Sequence, residues 1–168
     1  MILLLGASGY IGQAFVRELQ RRGWPFIGLS RAQMDYSNFH PLVDYLRANR
    51  SEFVINAAGF AGKPNVDACD EQRAETLTGN TLLPETIAQA CAACGIPWGH
   101  VSSGCIYSGA KIRVNGRIHS EKDLTRPELR AIADASPGSV QGYSEEDRPN
   151  FTFDELPCSF YSGTKALG

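Results

Sequence analysis

An apolar run that ends in three evenly spaced glycines opens the chain and constrains its fold more than any other feature. Residues 1–5 are all apolar, and Gly6, Gly9 and Gly12 follow before a helical pattern begins. A run that is apolar on both faces predicts a strand inside a parallel sheet. Backbone N–H groups at such a turn and helix N-terminus favour an anion. The stretch therefore predicts a diphosphate site; the alternative is a generic glycine-rich turn.

The three glycines have separate expected parts in that turn. Gly6 would make the tight turn, Gly9 would let the backbone approach a pyrophosphate, and Gly12 would let the helix pack against the strand. The same junction is completed by its neighbours Ser8, Tyr10 and Ile11. A glycine motif alone is a weak signal, so the rest of the chain has to support it.

Strands and helices alternate through the first hundred residues. Apolar runs predict strands at 1–5, 24–29, 53–55 and 98–102. Helical spacing predicts helices at 10–22, after Asn38, and at 72–94, the last kinked or staggered near Pro84. This alternation predicts an α/β protein: a single Rossmann-type domain, 1–168, with a doubly wound parallel sheet.

Residues 108–157 break this rhythm. Polar and turn residues dominate there, and only a short helix at 127–135 is expected. We interpret the stretch as an irregular excursion over a binding site, with a disordered surface loop as the alternative. Residues 160–167 have the pattern of a further helix, too short to be stable alone. A doubly wound sheet needs another strand after it, so we expect the front part of a longer protein, without its C-terminal substrate lobe. The alternative is a short form that borrows a partner.

Composition and charge exclude several classes of protein. The chain has 43% hydrophobic and 20% charged residues and a net charge of −2, which is typical of a globular domain. No basic stripe predicts nucleic-acid binding, and no apolar segment approaches the ~20 residues of a membrane span. Gly6 interrupts the apolar start too early for a signal peptide, so a cytoplasmic protein is expected. No metal site is predicted, because the histidines are scattered and the Cys91-x-x-Cys94 pair falls inside a helical pattern.

Tyr161 and Lys165 form a Y-x-x-x-K pattern that could carry chemistry. Positions four apart share one face of a helix, and a cation beside a phenol favours the phenolate. A tyrosine in that setting can give a proton to a carbonyl oxygen. Upstream, Ser103 follows a predicted strand, where ligands bind in parallel sheets, and could donate a hydrogen bond to the same oxygen. A surface helix pair is the alternative for Tyr161 and Lys165.

Together with Asn56-Ala57-Ala58-Gly59, these features resemble the extended short-chain dehydrogenase/reductase superfamily over essentially the whole chain. The resemblance implies a Rossmann fold, a nicotinamide cofactor and a catalytic set of Ser103, Tyr161 and Lys165. It implies that Asn80 supports the lysine through water. The cofactor-binding residues that it implies after the middle strand are Ala57, Ala58 and Gly59, with Tyr161 and Lys165 from the catalytic set.

Longer strings resemble the nucleotide-rhamnose synthase/epimerase-reductases and dTDP-4-dehydrorhamnose reductases. They lie at 56–67, 103–107, 146–151 and 159–162. This resemblance implies reduction of the C4 ketone of a nucleotide-linked 4-keto-6-deoxyhexose, preceded in bifunctional members by 3,5-epimerisation. It implies Cys105 as an acid/base for epimerisation; the alternative is a small buried residue. Gly104 stands where dehydratases of this type carry an acidic residue, and 108–142 is longer than expected, which would reshape the sugar pocket.

The residues after the second strand indicate the cofactor. An acidic residue there suits the ribose of NAD, whereas an arginine suits the 2′-phosphate of NADP. Ser30 and Arg31 occupy the position, so NADPH is predicted, with NAD less favoured. Asp35 is expected near the adenine. The alternative for Arg31 is a solvated loop charge.

Two other functions stay open at this point. One is a non-catalytic NAD(P)-binding regulator on the same fold, since fold alone does not fix function. The other is an NAD-dependent nucleotide-sugar epimerase. The expected partner is a nucleotide-sugar substrate, and a homodimer is one assembly that the sequence allows.

Overall fold

A four-stranded parallel sheet forms the centre of the computed structural model, which describes residues 1–168. Its strands are β1 (Ile2–Leu5), β2 (Phe26–Leu29), β3 (Phe53–Asn56) and β4 (Trp98–His100). Their order is β2-β1-β3-β4, and all three pairings are parallel. The carboxyl ends of the strands therefore meet at one edge of the sheet, where ligands bind in such folds. The predicted Rossmann-type sheet is confirmed.

Helices cover both faces of this sheet. The six helices are α1 (Tyr10–Arg22), α2 (Phe39–Ala48), α3 (Arg73–Leu77), α4 (Leu83–Cys94), α5 (Pro127–Ala135) and α6 (Phe160–Leu167). Because side chains alternate along a strand, Leu3 and Leu5 join the core under α2 and α4, whereas Leu4 packs with Leu19 of α1. None of these helices combines the length and apolar character needed to cross a membrane.

The predicted interruption near Pro84 is confirmed as a π-turn at Thr78–Leu82, between α3 and α4. Proline has no N–H, so Pro84 cannot bond the carbonyl of Asn80 four residues earlier. The helix widens by one residue at this point, and π-turns of this kind are frequent at functional sites. Here the widened turn carries the fully buried Asn80.

The prediction that 108–157 is irregular is wrong. Within it β5 (Ala110–Val114), β6 (Arg117–Glu121) and β7 (Val140–Gln141) form an antiparallel sheet in the order β6-β5-β7. The predicted helix at 127–135 is confirmed as α5. The missed signal is Asn115-Gly116, which joins β5 and β6 with positive φ angles of 51° and 76°. Asn-Gly between alternating segments is the preferred sequence of a two-residue hairpin turn.

Helix α6 is stabilised by what it packs against rather than by its length. Ser162, Thr164 and Lys165 are buried, and the helix contacts the π-turn and the short helical turns at 66–70 and 104–106. At its start, the Ser159 hydroxyl accepts a hydrogen bond from the Ser162 N–H. This packing holds the side chains of Tyr161 and Lys165 at the carboxyl edge of the main sheet.

Candidate active site

The turn after β1 leaves no room for side chains at two of its glycines. Gly6 has a φ of +77°, and a Cβ there would lie 2.7 Å from the Ala58 nitrogen. A Cβ at Gly12 would lie 2.0 Å from the Gly6 carbonyl oxygen. Both obstacles are backbone atoms, which cannot rotate away. The first turn of α1 therefore sits directly on the β1 turn, and the β1 turn sits directly on the chain leaving β3.

Unpaired backbone donors follow this turn. The N–H groups of Tyr10, Ile11 and Gly12 make no hydrogen bond within the chain, and the first turn of α1 holds no acidic residue. Tyr10 is 91% exposed, which is unusual for a large aromatic side chain. Free amides at the positive end of a helix dipole suit an anion, so the chemistry of this junction fits a diphosphate.

The first cleft, of about 380 Å³, opens at the carboxyl edge of the sheet. It brings together eight of the predicted residues: Gly9, Tyr10, Ile11, Ala57, Ala58, Gly59, Tyr161 and Lys165. Four lining residues were missed by sequence reasoning: Phe60, Ala61, Val101 and Ser102. They lie on the loops that follow β3 and β4, and that location was the available signal.

Lys165 is held at the floor of the first cleft. The residue is only 7% exposed, and its Nζ lies 3.4 Å from the Val101 carbonyl oxygen, to which it donates. A Cβ on Gly59 would lie 3.2 Å from this Nζ, so the loop after β3 passes directly over the ammonium. Burial lowers the pKa of Lys165. The cation is thus fixed between the exits of β3 and β4.

Asn80 clamps the loop that follows β3. Its Oδ1 accepts from the Phe60 N–H and its Nδ2 donates to the Phe60 carbonyl, each at 2.8 Å. The same Nδ2 lies 3.5 Å from the hydroxyl of Thr164, next to Lys165. Asn80 therefore connects the cleft loop to α6 by direct bonds, whereas the water-mediated support of the lysine stays a prediction.

A buried pair beside this loop was not predicted. Asn56 Oδ1 accepts from the Ala58 N–H at 3.0 Å, and Asn56 Nδ2 donates to Nδ1 of His100, also at 3.0 Å. His100 Nε2 is buried without a partner. Burial, and then the charge of Lys165, lowers the pKa of His100 from its ordinary 6.5 to about 4. The neutral imidazole is thus part of the support of the cleft wall.

The protein should become less stable as pH falls from 6.5 to about 4, the window set by the pKa of His100. The unfolded state takes up a proton near pH 6.5 and the folded state only near pH 4, so the stabilisation is complete above 6.5 and is lost as pH falls toward 4. Urea unfolding of wild type and His100→Asn at pH 7 and pH 5 tests this. Between pH 7 and pH 5, we expect the free energy of unfolding to fall more for the wild type than for His100→Asn. Parallel losses would contradict the assignment.

A second cleft, of about 430 Å³, adjoins the first and shares Ser102 with it. Ser103 lines this second cleft, and its Oγ accepts from the Cys105 N–H at 3.2 Å. Cys105 itself is exposed and its side chain lines neither cleft. The predicted serine therefore stands next to the first cleft, where Tyr161 lies, whereas Cys105 lines neither cleft.

The residues predicted to select the cofactor lie after β2. The Ser30 N–H and hydroxyl both donate to Gln33 Oε1 at 2.8 Å, and Arg31 is exposed without an ion-pair partner. Asp35 accepts from the Ser37 hydroxyl and N–H, and these bonds lower its pKa. Asp35 thus orders the approach to α2 and does not line the first cleft.

The chain is similar to known proteins over most of its length. The family profile described as RmlD substrate binding domain matches residues 1–130. A trifunctional UDP-glucose 4,6-dehydratase/UDP-4-keto-6-deoxy-D-glucose 3,5-epimerase/UDP-4-keto-L-rhamnose-reductase of Arabidopsis thaliana is 31% identical over 166 residues, covering 98% of this chain and 20% of that protein. A bifunctional dTDP-4-dehydrorhamnose 3,5-epimerase/dTDP-4-dehydrorhamnose reductase of the same plant is also 31% identical, covering 98% and 45%.

Solved structures share the fold. The UDP-rhamnose synthase of Acanthamoeba polyphaga mimivirus superposes with a TM-score of 0.72 at 20% identity, covering 99% of this chain and 49% of that one. A dTDP-4-dehydrorhamnose reductase from Bacillus anthracis, solved in complex with NADP, gives 0.67 at 18% identity, covering 99% and 46%. The chain therefore spans about half the length of these two solved proteins. It spans 45% of the bifunctional plant relative and 20% of the trifunctional one. With a profile match over most of its residues, the chain belongs to the RmlD substrate binding domain family.

Proposed function

We propose that the protein is an NADPH-dependent reductase of a nucleotide-linked 4-keto-6-deoxy sugar. The observation that carries the proposal is that Tyr161 and Lys165 line the same cleft as Gly9 of the glycine turn, while Ser103 lines the adjoining one. A diphosphate-binding turn, a proton donor and a carbonyl-binding hydroxyl are thus neighbours. The plant relatives, whose names include 4-keto sugar reductase activities, support the same reaction.

The first cleft fits a dinucleotide by the chemistry of its donors. The free amides of Tyr10, Ile11 and Gly12 would hold the diphosphate, and Lys165 would hold the ribose beside the nicotinamide. The exposed guanidinium of Arg31, with Ser30, would bind the 2′-phosphate that distinguishes NADPH from NADH. When bound, NADPH supplies the hydride.

The chain's own residues would handle the oxygen of the ketone. Ser103 donates a hydrogen bond to this oxygen and so polarises the carbonyl. As hydride reaches the carbon, the Tyr161 hydroxyl gives its proton to the oxygen, which yields the alcohol and leaves a phenolate. The buried cation of Lys165 stabilises that phenolate because little water is present to screen the two charges.

Epimerisation by Cys105 stays a prediction. A thiolate could remove the acidic proton next to the ketone only if it reached the sugar. The exposed thiol of Cys105 lies outside both clefts, although its backbone is bonded to Ser103. The arrangement of Ser103, Tyr161 and Lys165 favours reduction over a regulator without activity, because a sensor has no need of a proton donor.

NADPH consumption tests the proposed reaction. We expect the purified protein to oxidise NADPH, followed at 340 nm, only when a UDP- or dTDP-linked 4-keto-6-deoxyhexose is added. Firm NADPH binding with no oxidation for either sugar nucleotide would favour the non-catalytic regulator. Turnover with NADH alone would contradict the cofactor assignment.

Removing the charge at position 31 should weaken the binding of NADPH but not the binding of NADH. We expect Arg31→Ala to weaken NADPH binding about tenfold, because a charged hydrogen bond to phosphate contributes about 1.5–3 kcal/mol. NADH lacks that phosphate, so its affinity should stay unchanged. Fluorescence titration measures both, with Arg17→Ala, another exposed arginine, as the control. Equal weakening of both cofactors would show that Arg31 does not select between them.

A further inference from the structure

One wall of the second cleft comes from a segment that the proposed mechanism does not use. Tyr143, Ser144 and Glu145 line this cleft together with Ser103 and Tyr107. The segment, here called the 143–145 wall, follows the antiparallel sheet inserted after β4. It lies within residues 108–157, the stretch interpreted from the sequence as an excursion over a binding site, although none of its residues was a predicted site residue.

The 143–145 wall is anchored by Tyr107, which lines the same cleft. The rings of Tyr107 and Tyr143 stack with centroids 5.0 Å apart and an interplanar angle of 7°. The Tyr107 hydroxyl donates toward the carbonyls of Ser144 and Asp147, at 3.1 and 2.8 Å. Because these bonds involve backbone atoms, they fix the course of the chain through the wall.

The inserted sheet holds the wall from behind. Lys111 of β5 forms an ion pair with Asp147 at 2.6 Å, and the same carboxylate accepts from the Ser144 N–H at 2.7 Å. The buried Asn150 donates to the Tyr143 hydroxyl at 2.9 Å. The hydroxyl of Tyr143 also contacts Ser120 of β6. The insertion thus acts as a frame that fixes the wall.

The charge that lines the second cleft is only negative. Glu145 is exposed and carries the only ionised side chain among the residues that line it, and no lysine, arginine or histidine lines it. The other polar groups are hydroxyls, from serines and tyrosines. A carboxylate accepts hydrogen bonds from sugar hydroxyls, whereas it repels another carboxylate.

We propose that the 143–145 wall selects an uncharged, hydroxyl-bearing sugar ring over a sugar acid, with Glu145 as the specificity-determining residue. The inference rests on the proposed function, because it assigns the second cleft to the sugar of the nucleotide-linked substrate. Glu145 accepts hydrogen bonds from ring hydroxyls there, and the tyrosine stack gives the ring a firm boundary.

Calorimetry with stable sugar nucleotides tests this inference. The ligands are glucose and glucuronic acid, each linked to UDP and to dTDP, added to the full chain in the presence of NADP⁺. We expect the wild type to bind the glucose form about tenfold more tightly, the size of one charge-assisted hydrogen bond. Glu145→Gln should reduce this preference to about threefold or less. Glu146→Gln, an exposed neighbour that does not line the cleft, should keep it.

The outcomes separate the two proposals. An unchanged preference in Glu145→Gln, or a wild type that binds both sugars equally, would overturn the role of Glu145 and leave the reductase proposal intact. Binding of NADP⁺ without binding of any of the four sugar nucleotides would instead contradict the proposed substrate class. The preference should shrink as salt is raised, since Glu145 is exposed.

Discussion

Replacing Tyr161 with phenylalanine should lower the turnover of a 4-keto sugar nucleotide by about 10²–10⁴-fold, the usual contribution of a positioned proton donor. The ring stays in the first cleft, beside the buried Lys165, and only the hydroxyl is lost. We therefore expect NADPH affinity to change little. Steady-state NADPH oxidation and cofactor titration on the same preparation measure the two effects separately.

Tyr45→Phe is the matched control for this substitution. Tyr45 lies on α2, packed against the main core and away from both clefts. Its loss of a hydroxyl should leave turnover unchanged. If Tyr161→Phe kept wild-type turnover, the proton would have to come from another group, and the assigned chemistry would be wrong.

Replacing Gly12 with alanine should have the largest effect on folding. The added Cβ would meet the Gly6 carbonyl oxygen at 2.0 Å, so either the turn or α1 must move. Overpacking costs about 1–3 kcal/mol, and more where the obstacle is backbone. We expect a free energy of unfolding lower by at least about 3 kcal/mol, with NADPH binding lost because the amides of the turn are displaced.

Gly142→Ala is the control for the general effect of replacing a glycine with alanine. A Cβ at Gly142 meets nothing within 4 Å, and its φ lies outside the left-handed region. Urea unfolding and NADPH titration should find this variant equal to wild type. A Gly12→Ala protein with normal stability and normal NADPH affinity would mean that the close approach of α1 to the turn is not required.

The parts of the fold that sequence could predict are those fixed by local pattern. The β1 run and the glycine turn, the first helix at 10–22, and the break near Pro84 all depend on neighbouring residues. The hairpin was also local, since Asn115-Gly116 specifies its turn, and it was missed because β6, the strand after the turn, is mostly polar and exposed.

The contacts that complete the site depend on distant parts of the chain. Asn56 and His100 meet only because β3 pairs with β4, and neither residue type by itself signals such a pair. Glu145 reaches the second cleft because Lys111, far back along the chain, holds the turn that precedes Asp147. Strand pairing and ion pairs across such separations follow from the assembled fold rather than from any window of sequence.

Isotope transfer tests the central claim most directly. NADPH carrying deuterium at C4 of the nicotinamide, in each of its two stereochemical positions, is incubated with the protein and a 4-keto-6-deoxyhexose linked to UDP or dTDP. We expect one of the two labelled forms to yield a sugar with deuterium at C4, detected by mass spectrometry and NMR. Oxidation of the cofactor without deuterium at C4 of the sugar, from either form, would contradict the assignment of the two clefts to a sugar-nucleotide reductase.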